Sequence, residues 1–324
     1  MKIGIIDIGS NTSKLSVFQK GSLDSFCIVH QESLPGRMIF QTQESVCSLT
    51  AESIEKVFQS VQILHDSARR FDLKNLIAVG THGLRKADNA GRITDMVQKM
   101  GIPLHILSGK EEARYVSLAL LCEPKILGLN DFVGIDIGGG SIEIIVFRSQ
   151  KASTFESLPL GAVELTNRFF SKPRNPIPQN ECNKLKNFVR ETLSKSFNSM
   201  DLSNKAIVGT GGALVFVQKT IAEAKGISLK EKGIIHLHDL LNLQEQMAKL
   251  PISKRIKEFP QLDEERAEIL LAGLLVVTEL MNLTKLCSLI HSFRNLRYGL
   301  AREFFTHGKI LNEKPNTKAV AGNH

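Results

Sequence analysis

The sequence has no tryptophan, 2 tyrosines and only 5 cysteines in 324 residues. Cys27, Cys47, Cys122, Cys182 and Cys287 are scattered, odd in number and nowhere at zinc-site spacing. That excludes a disulfide-stapled domain and predicts free thiols in a reducing cytoplasm. Long apolar runs are also missing. The longest, Ile269 to Val277, has 9 residues, against the roughly 20 a membrane helix requires. The opening MKIGIIDIG turns polar at Asp7 and no small-residue cleavage site follows, unlike a signal peptide. Two phosphate-binding patterns are absent as well. Gly109-Lys110 lacks the upstream glycine and the following Ser or Thr of a P-loop, and there is no Rossmann fingerprint.

What is present reads as ordinary globular protein, with 42% hydrophobic and 23% charged residues. At about 100–200 residues per domain, the length predicts two domains. Charge is uneven. Residues 1–124 hold 14 Lys+Arg and 13 Asp+Glu, so residues 125–324 hold 27 and 20, a split of +1 and +7. A basic half fits a polyanionic partner and equally a solvated surface.

The chain opens with a strand pattern at 2–7, a turn Gly9-Ser10-Asn11-Thr12 and a second strand at 14–19, a β-hairpin with its polar residues in the turn. Apolar spacing predicts helices at 51–71, 89–100 and 109–121, with strands at 75–79 and 104–107 between them. Then the opening returns. DFVGIDIGGGSIEIIVF (131–147) aligns without gaps on KIGIIDIGSNTSKLSVF (2–18), placing Asp136 on Asp7, Gly138 on Gly9 and Ser141 on Thr12. Such a repeat predicts two similarly built domains. Further helices are expected at 161–169, 177–197, 212–224, 237–250, 263–280 and 296–305, and strands at 205–208 and 286–290. The polar end of the chain, 307–324, is expected to be a flexible tail.

Three glycine-rich turns follow short apolar strands, at 9–12, 138–141 and 209–212. Glycine lets backbone N–H groups approach a ligand closely, and successive N–H groups with a hydroxyl make a cradle for anions. In the two related turns an Asp lies two residues before the glycine, offering what a metal ion needs beside what a phosphate needs.

These turns resemble the actin, hexokinase and heat-shock ATPase superfold: two α/β, ribonuclease H-like domains with a ligand cleft between them. More closely, the sequence resembles the exopolyphosphatase / guanosine pentaphosphate phosphohydrolase (Ppx–GppA) family. The match is carried by GIIDIGSNT (4–12), VGTHGLRKADNA (79–90), SGKEEARY (108–115), GIDIGGGSIE (134–143), SLPLGAVELTNRF (157–169), GTGGA (209–213), ERAEILLAG (265–273) and SFRNLRYG (292–299). It implies an N-terminal domain at 1–124 and a C-terminal domain at 125–306, the family's short two-domain form. The resemblance makes Glu112 the catalytic glutamate that orients and deprotonates water; otherwise it merely complements a helix dipole. Glu111 is its easily confused neighbour. Arg85 is implied near the scissile phosphate, with His82 beside it read as structural. Asp136, Glu143 and Asp7 are implied to hold Mg²⁺ or another divalent cation, although Asp7 also suits turn capping. Ser10, Asn11, Thr12, Gly138, Gly139, Gly140, Ser141 and Gly211 are implied to bind phosphate. Arg266 and Arg297 are implied on the substrate-tail side, unless Arg266 pairs with Asp263 or Glu264. The family's Arg-Glu-Gly is Arg297-Tyr298-Gly299 here.

The function so implied is release of the terminal phosphate from inorganic polyphosphate, pppGpp or both by in-line water attack. The alternative is a non-catalytic sensor of guanosine tetra- or pentaphosphate or polyphosphate in the same cleft. A homodimer is a family expectation; DNA, RNA and membranes are not expected partners.

Overall fold

The hairpin at the start of the chain forms as the repeat pattern requires. In the computed structural model, which describes residues 1–22, 25–43, 46–197, 205–226, 233–308 and 310, β1 (Lys2–Ile8) and β2 (Thr12–Lys20) pair antiparallel with Ile8 opposite Ser13. Ile3, Ile5, Ile6 and Ile8 are all buried, so β1 is covered on both faces. This is why it reads as a continuous apolar run rather than an alternation. There follow β3 (Phe26–Pro35), a small hairpin of β4 (Phe40–Gln43) and β5 (Val46–Leu49), α1 (Ala51–Ala68), β6 (Asn75–Gly80), α2 (His82–Lys86), α3 (Gly91–Lys99), β7 (Leu104–Ile106) and α4 (Gly109–Leu120). The first sheet has the order β3-β2-β1-β6-β7, with β6 parallel to β1 and β7 parallel to β6.

A 3₁₀ turn at Pro124–Ile126 leads to β8 (Phe132–Ile137), β9 (Ile142–Arg148), β10 (Lys151–Leu158), α5 (Ala162–Phe169), α6 (Gln179–Phe197), β11 (Ala206–Gly211) and α7 (Gly212–Lys225). Then come β12 (Ile234–His236), α8 (Leu237–Lys249), α9 (Ile252–Glu258), α10 (Glu264–Thr284), β13 (Ser288–His291) and α11 (Leu296–His307). The second sheet runs β10-β9-β8-β11-β13-β12. Its first five strands repeat the order and directions of the first sheet, with Ile137 opposite Ile142 as Ile8 is opposite Ser13. The sequence repeat therefore extends from one hairpin to a whole five-stranded unit, used twice. This is the actin-like ATPase architecture.

Two strands that periodicity does not disclose, β3 and β10, complete these units. Both lie at sheet edges. β10 reads KASTFESL and has no fully buried side chain, so no apolar alternation marks it. The tail expected at 307–324 lies almost wholly outside the described residues, and the last helix continues to His307.

α10 is long and apolar enough to span a membrane, but most of it is buried in the core over the second sheet. A helix apolar on every side fits such a place. α11 follows the second sheet in the chain yet packs on α4, β1 and β2. Its Leu296, Leu300, Ala301 and Phe304 join Ile3, Ile5, Tyr115 and Val116 in one cluster. The helix bearing Glu112 thus packs between α11 and strands β8–β10 of the second sheet.

Candidate active site

The turns after β1, β8 and β11 converge at the carboxyl ends of their strands, where open α/β sheets ordinarily bind ligands. The cavity there has a volume of about 550 Å³. Asp7, Ser10, Asn11, Thr12, Glu112, Asp136, Gly138, Gly139, Gly140, Ser141, Glu143, Gly211, Arg266 and Arg297 all line it. Arg85 alone among the predicted site residues is not in the lining.

The two related turns close in the same way, with Gly9 N–H donating to Thr12 O at 3.1 Å and Gly138 N–H to Ser141 O at 2.9 Å. Four other carbonyls of the turns are also engaged. Ser10 O accepts from Met38 N–H and Asn11 O from Gly36 N–H, while Gly138 O and Gly139 O accept from Ala162 and Val163 at the start of α5. What these turns can offer an anion is therefore N–H and hydroxyl. The turns face each other: a Cβ built on Gly139 would lie 3.2 Å from Ser10 Cβ, and one on Gly140 would overlap the His82 ring. Any side chain there would wedge the turns apart. Ser10 Oγ, His82 Nε2 and Arg297 Nε, possible donors to an anion, and the acceptor Asn11 Oδ1 are buried without a hydrogen-bond partner.

The two glutamates at the start of α4 have different work. Ser108 caps the helix by accepting from Glu111 N–H, while Glu111 Oε2 accepts from Ser108 N–H at 2.8 Å and from its hydroxyl at 2.7 Å, a reciprocal capping box. Glu111 is exposed. Glu112 turns inward and is only 8% exposed. Arg85 Nη1 donates to Glu112 Oε2 at 3.1 Å and to Leu107 O at 2.5 Å. Through Nη1 Arg85 backs the glutamate, and it is not among the residues that line the cavity. Burial raises the Glu112 carboxyl to about 7; Arg85 opposes the rise and Asp136 adds to it.

The carboxylates differ between the two hairpins. Asp7 stands opposite Lys14 across β1 and β2, an opposite-charge pair. Asp136 stands opposite Glu143 across β8 and β9. Like charges directly opposite on a sheet repel. Burial raises Asp136 to about 6 and pushes Glu143 well above its usual range, with Glu112 and Asp136 adding to the latter. An acid pair of this kind suits a divalent cation. Among the described residues no group of three or more His, Cys, Asp and Glu could hold a metal ion unaided, so the three implied ligands are not a ready-made cage. Mg²⁺ ordinarily takes one or two carboxylates and completes its shell with water and substrate phosphate, which Asp136 and Glu143 can satisfy.

The structure settles where the arginines of the second half sit. Asp263 Oδ1 accepts from the backbone N–H of Arg266, and Glu264 pairs with Arg174. Among the described residues no ion pair joins the Arg266 side chain to either. Arg297 Nε lies 3.9 Å from Asp7 Oδ2, placing this residue against the first hairpin and not at an outer tail. Among the lining residues outside the expected site set are Lys14 and His82. Lys14 is half-buried and its pKa is lowered to about 8, by burial first and then by Arg297; its signal in the sequence is the mismatch with Glu143 in the repeat. His82, read as structural, is held neutral, its pKa lowered to about 4 by burial and then by Arg85.

Polar bridges tie the two halves beside the cleft. Arg37 reaches Glu268 at 3.0 Å and Asn167 at 3.2 Å, Lys56 reaches Glu265 at 2.6 Å, and Lys86 reaches Glu164 at 2.8 Å.

Comparison with known proteins bears on the family and the fold. The model of the Ppx/GppA phosphatase family matches residues 16–305. A putative exopolyphosphatase of Haemophilus influenzae is 24% identical over 92% of this chain and 90% of its own. A guanosine-5'-triphosphate,3'-diphosphate pyrophosphatase of Vibrio atlanticus is 27% identical over 92% of this chain, which spans 58% of that protein. An uncharacterised Streptomyces coelicolor protein is 29% identical over 60% of this chain and 57% of its own. In fold, the chain is similar to the crystal structure of an exopolyphosphatase from Cytophaga hutchinsonii, with a TM-score of 0.83 at 18% identity over 94% of this chain and 98% of that one.

Proposed function

Because the chain belongs to the Ppx/GppA phosphatase family, we propose that it is a Mg²⁺-dependent phosphohydrolase that releases the terminal phosphate of inorganic polyphosphate, pppGpp or both. The observation that carries this reading is Glu112: a buried carboxyl with its pKa near neutrality, in the lining of a cavity floored by two opposed phosphate-type turns.

The terminal phosphoryl group sits between the turns, its oxygens taking N–H groups of Ser10–Thr12 and Gly139–Ser141 and the hydroxyls of Ser10 and Thr12. Gly211 lets the third turn approach. Glu112 accepts a proton from a water aligned with the bond to be broken. The water oxygen bonds to phosphorus, the bridging P–O bond breaks, and its electron pair leaves with the shortened phosphate chain. Arg85 holds the Glu112 carboxylate toward that water. Asp136 and Glu143, with Asp7 nearby, would hold Mg²⁺, which supplies positive charge to phosphoryl oxygens as charge shifts in the transition state. Arg266 places a cationic group in the cavity lining for the rest of the polyanion, while Lys14 and Arg297 stand beside Asp7 at the first hairpin.

A phosphate-release assay with short polyphosphate, long polyphosphate, pppGpp and ATP, each with Mg²⁺ and with a chelator, tests the proposal. Release from at least one of the first three, abolished by the chelator, is expected. Tight binding with no release from any of them would make the protein a sensor instead.

A further inference from the structure

We propose that Ser157, at the edge of the second sheet, is a positioning residue that aims the Glu143 carboxylate at the divalent cation and spaces it from the helix carrying Glu112. The inference rests on the functional reading above. Ser157 in β10 is the register partner of Glu143 in β9. Its hydroxyl donates to Glu143 Oε1 at 2.8 Å, and Ser141 Oγ donates to the same oxygen at 2.8 Å. Two donors on one oxygen set the plane of the carboxylate and leave Oε2 for the cavity.

That restraint matters because of what stands opposite. Asp136 faces Glu143 across the β8–β9 ladder, and repulsion between them would turn an untethered carboxylate away. A cation as demanding of octahedral geometry as Mg²⁺ requires the oxygen to wait in place. Groups that orient a metal-binding side chain commonly change affinity about 10–100-fold when removed.

Ser157 also touches the other side of the site. A Cβ built on Gly109, the first residue of α4, would lie 2.6 Å from Ser157 Cβ, 2.9 Å from its Oγ and 3.8 Å from Arg85 Nη2. The start of α4 therefore rests directly against this serine. One small side chain spans the gap between the cation carboxylate and the helix of the base. It is also the first residue of the segment SLPLGAVELTNRF, to which the expected site set assigned no role.

The test is Mn²⁺ binding to the full chain by titration calorimetry, without substrate, for the wild type, Ser157→Ala and Ser157→Cys. Cysteine fills the space but is a weak donor. Both variants are expected to bind Mn²⁺ about tenfold or more weakly, with metal-free melting temperatures close to wild type. Wild-type affinity in both variants overturns the proposal. So does a loss in Ser157→Ala that Ser157→Cys restores, since space-filling and not the hydrogen bond would then be what counts. If the unaltered protein binds no Mn²⁺, the metal-dependent reading and this inference fail together; if it binds and the variants bind equally, this inference fails alone.

Discussion

Glu112→Gln is expected to lower the turnover number for phosphate release by about 10²–10⁴-fold, the span of a positioned acid–base group, with the fold and substrate binding retained. Glutamine preserves the shape and still accepts from Arg85, but it cannot take a proton from water. The pH profile carries a second signature. Only the ionised carboxyl serves as base, and burial raises it to about 7. Wild-type kcat/KM should therefore fall about tenfold per pH unit below that value, as expected of a single essential base, and the residual rate of the variant should not. Stability moves the opposite way. The folded-state value lies above the ordinary one of about 4.3, so the contribution of this group is fully present below that ordinary value and is lost as pH rises through about 7. Glutamine removes the cost of ionising a buried acid, so the variant should melt above wild type at slightly alkaline pH and lose that margin in acid. Phosphate release and thermal melts across pH check both. A wild-type rate in the variant would mean that another group is the base.

Gly299→Ala is expected to be strongly destabilising. Helix propensity alone favours alanine over glycine in a helix interior by about 1 kcal/mol. At this position, however, a methyl group would overlap the backbone carbonyl of Tyr115. That carbonyl belongs to α4 and cannot rotate aside, so the two helices must separate. Overpacking costs about 1–3 kcal/mol and sometimes more, which outweighs the propensity gain. The melting temperature should fall by several degrees, and because α4 carries Glu112, activity should fall as well. A displacement of about 1 Å in catalytic geometry can cost about 10²-fold in rate. Gly91→Ala is the control, since a methyl there meets nothing within 4 Å; its melt and rate should match wild type. If Gly299→Ala also behaves as wild type, the close contact of α4 and α11 is wrong.

The hairpins were legible because their information is local. An apolar strand, an Asp-Ile-Gly turn and a second strand are written in consecutive residues, and the offset between copies shows that the pattern is used twice. β3 and β10 were not legible, because an edge strand exposes much of its surface and needs no apolar alternation. Glu111 and Glu112 could not be separated by position alone. The cap formed by Ser108 consumes Glu111, and the helical turn then rotates Glu112 into the cavity. The resemblance implies Arg85 near the phosphate; the structure adds that its Nη1 meets both Glu112 and the Leu107 carbonyl, a contact between segments that no spacing rule describes. Lys14 is visible as a mismatch in the repeat, but that it stands opposite Asp7 follows only from the pairing of β1 with β2.

The residue order by itself determined two phosphate-type hairpins, the glycines that let backbone approach a ligand, and the acids and hydroxyls those hairpins carry. These follow from short-range rules of backbone freedom and strand pattern. The tertiary structure decided how the pieces meet: that the two turns face each other, that Asp136 confronts Glu143 while Asp7 confronts Lys14, that two serines share one carboxylate oxygen, and that α11 returns to clamp α4. Each of these depends on burial and on distances between residues far apart in the chain. Burial is also what raises the Glu112 carboxyl toward neutrality, because an ion removed from water loses hydration that only its new neighbours can replace.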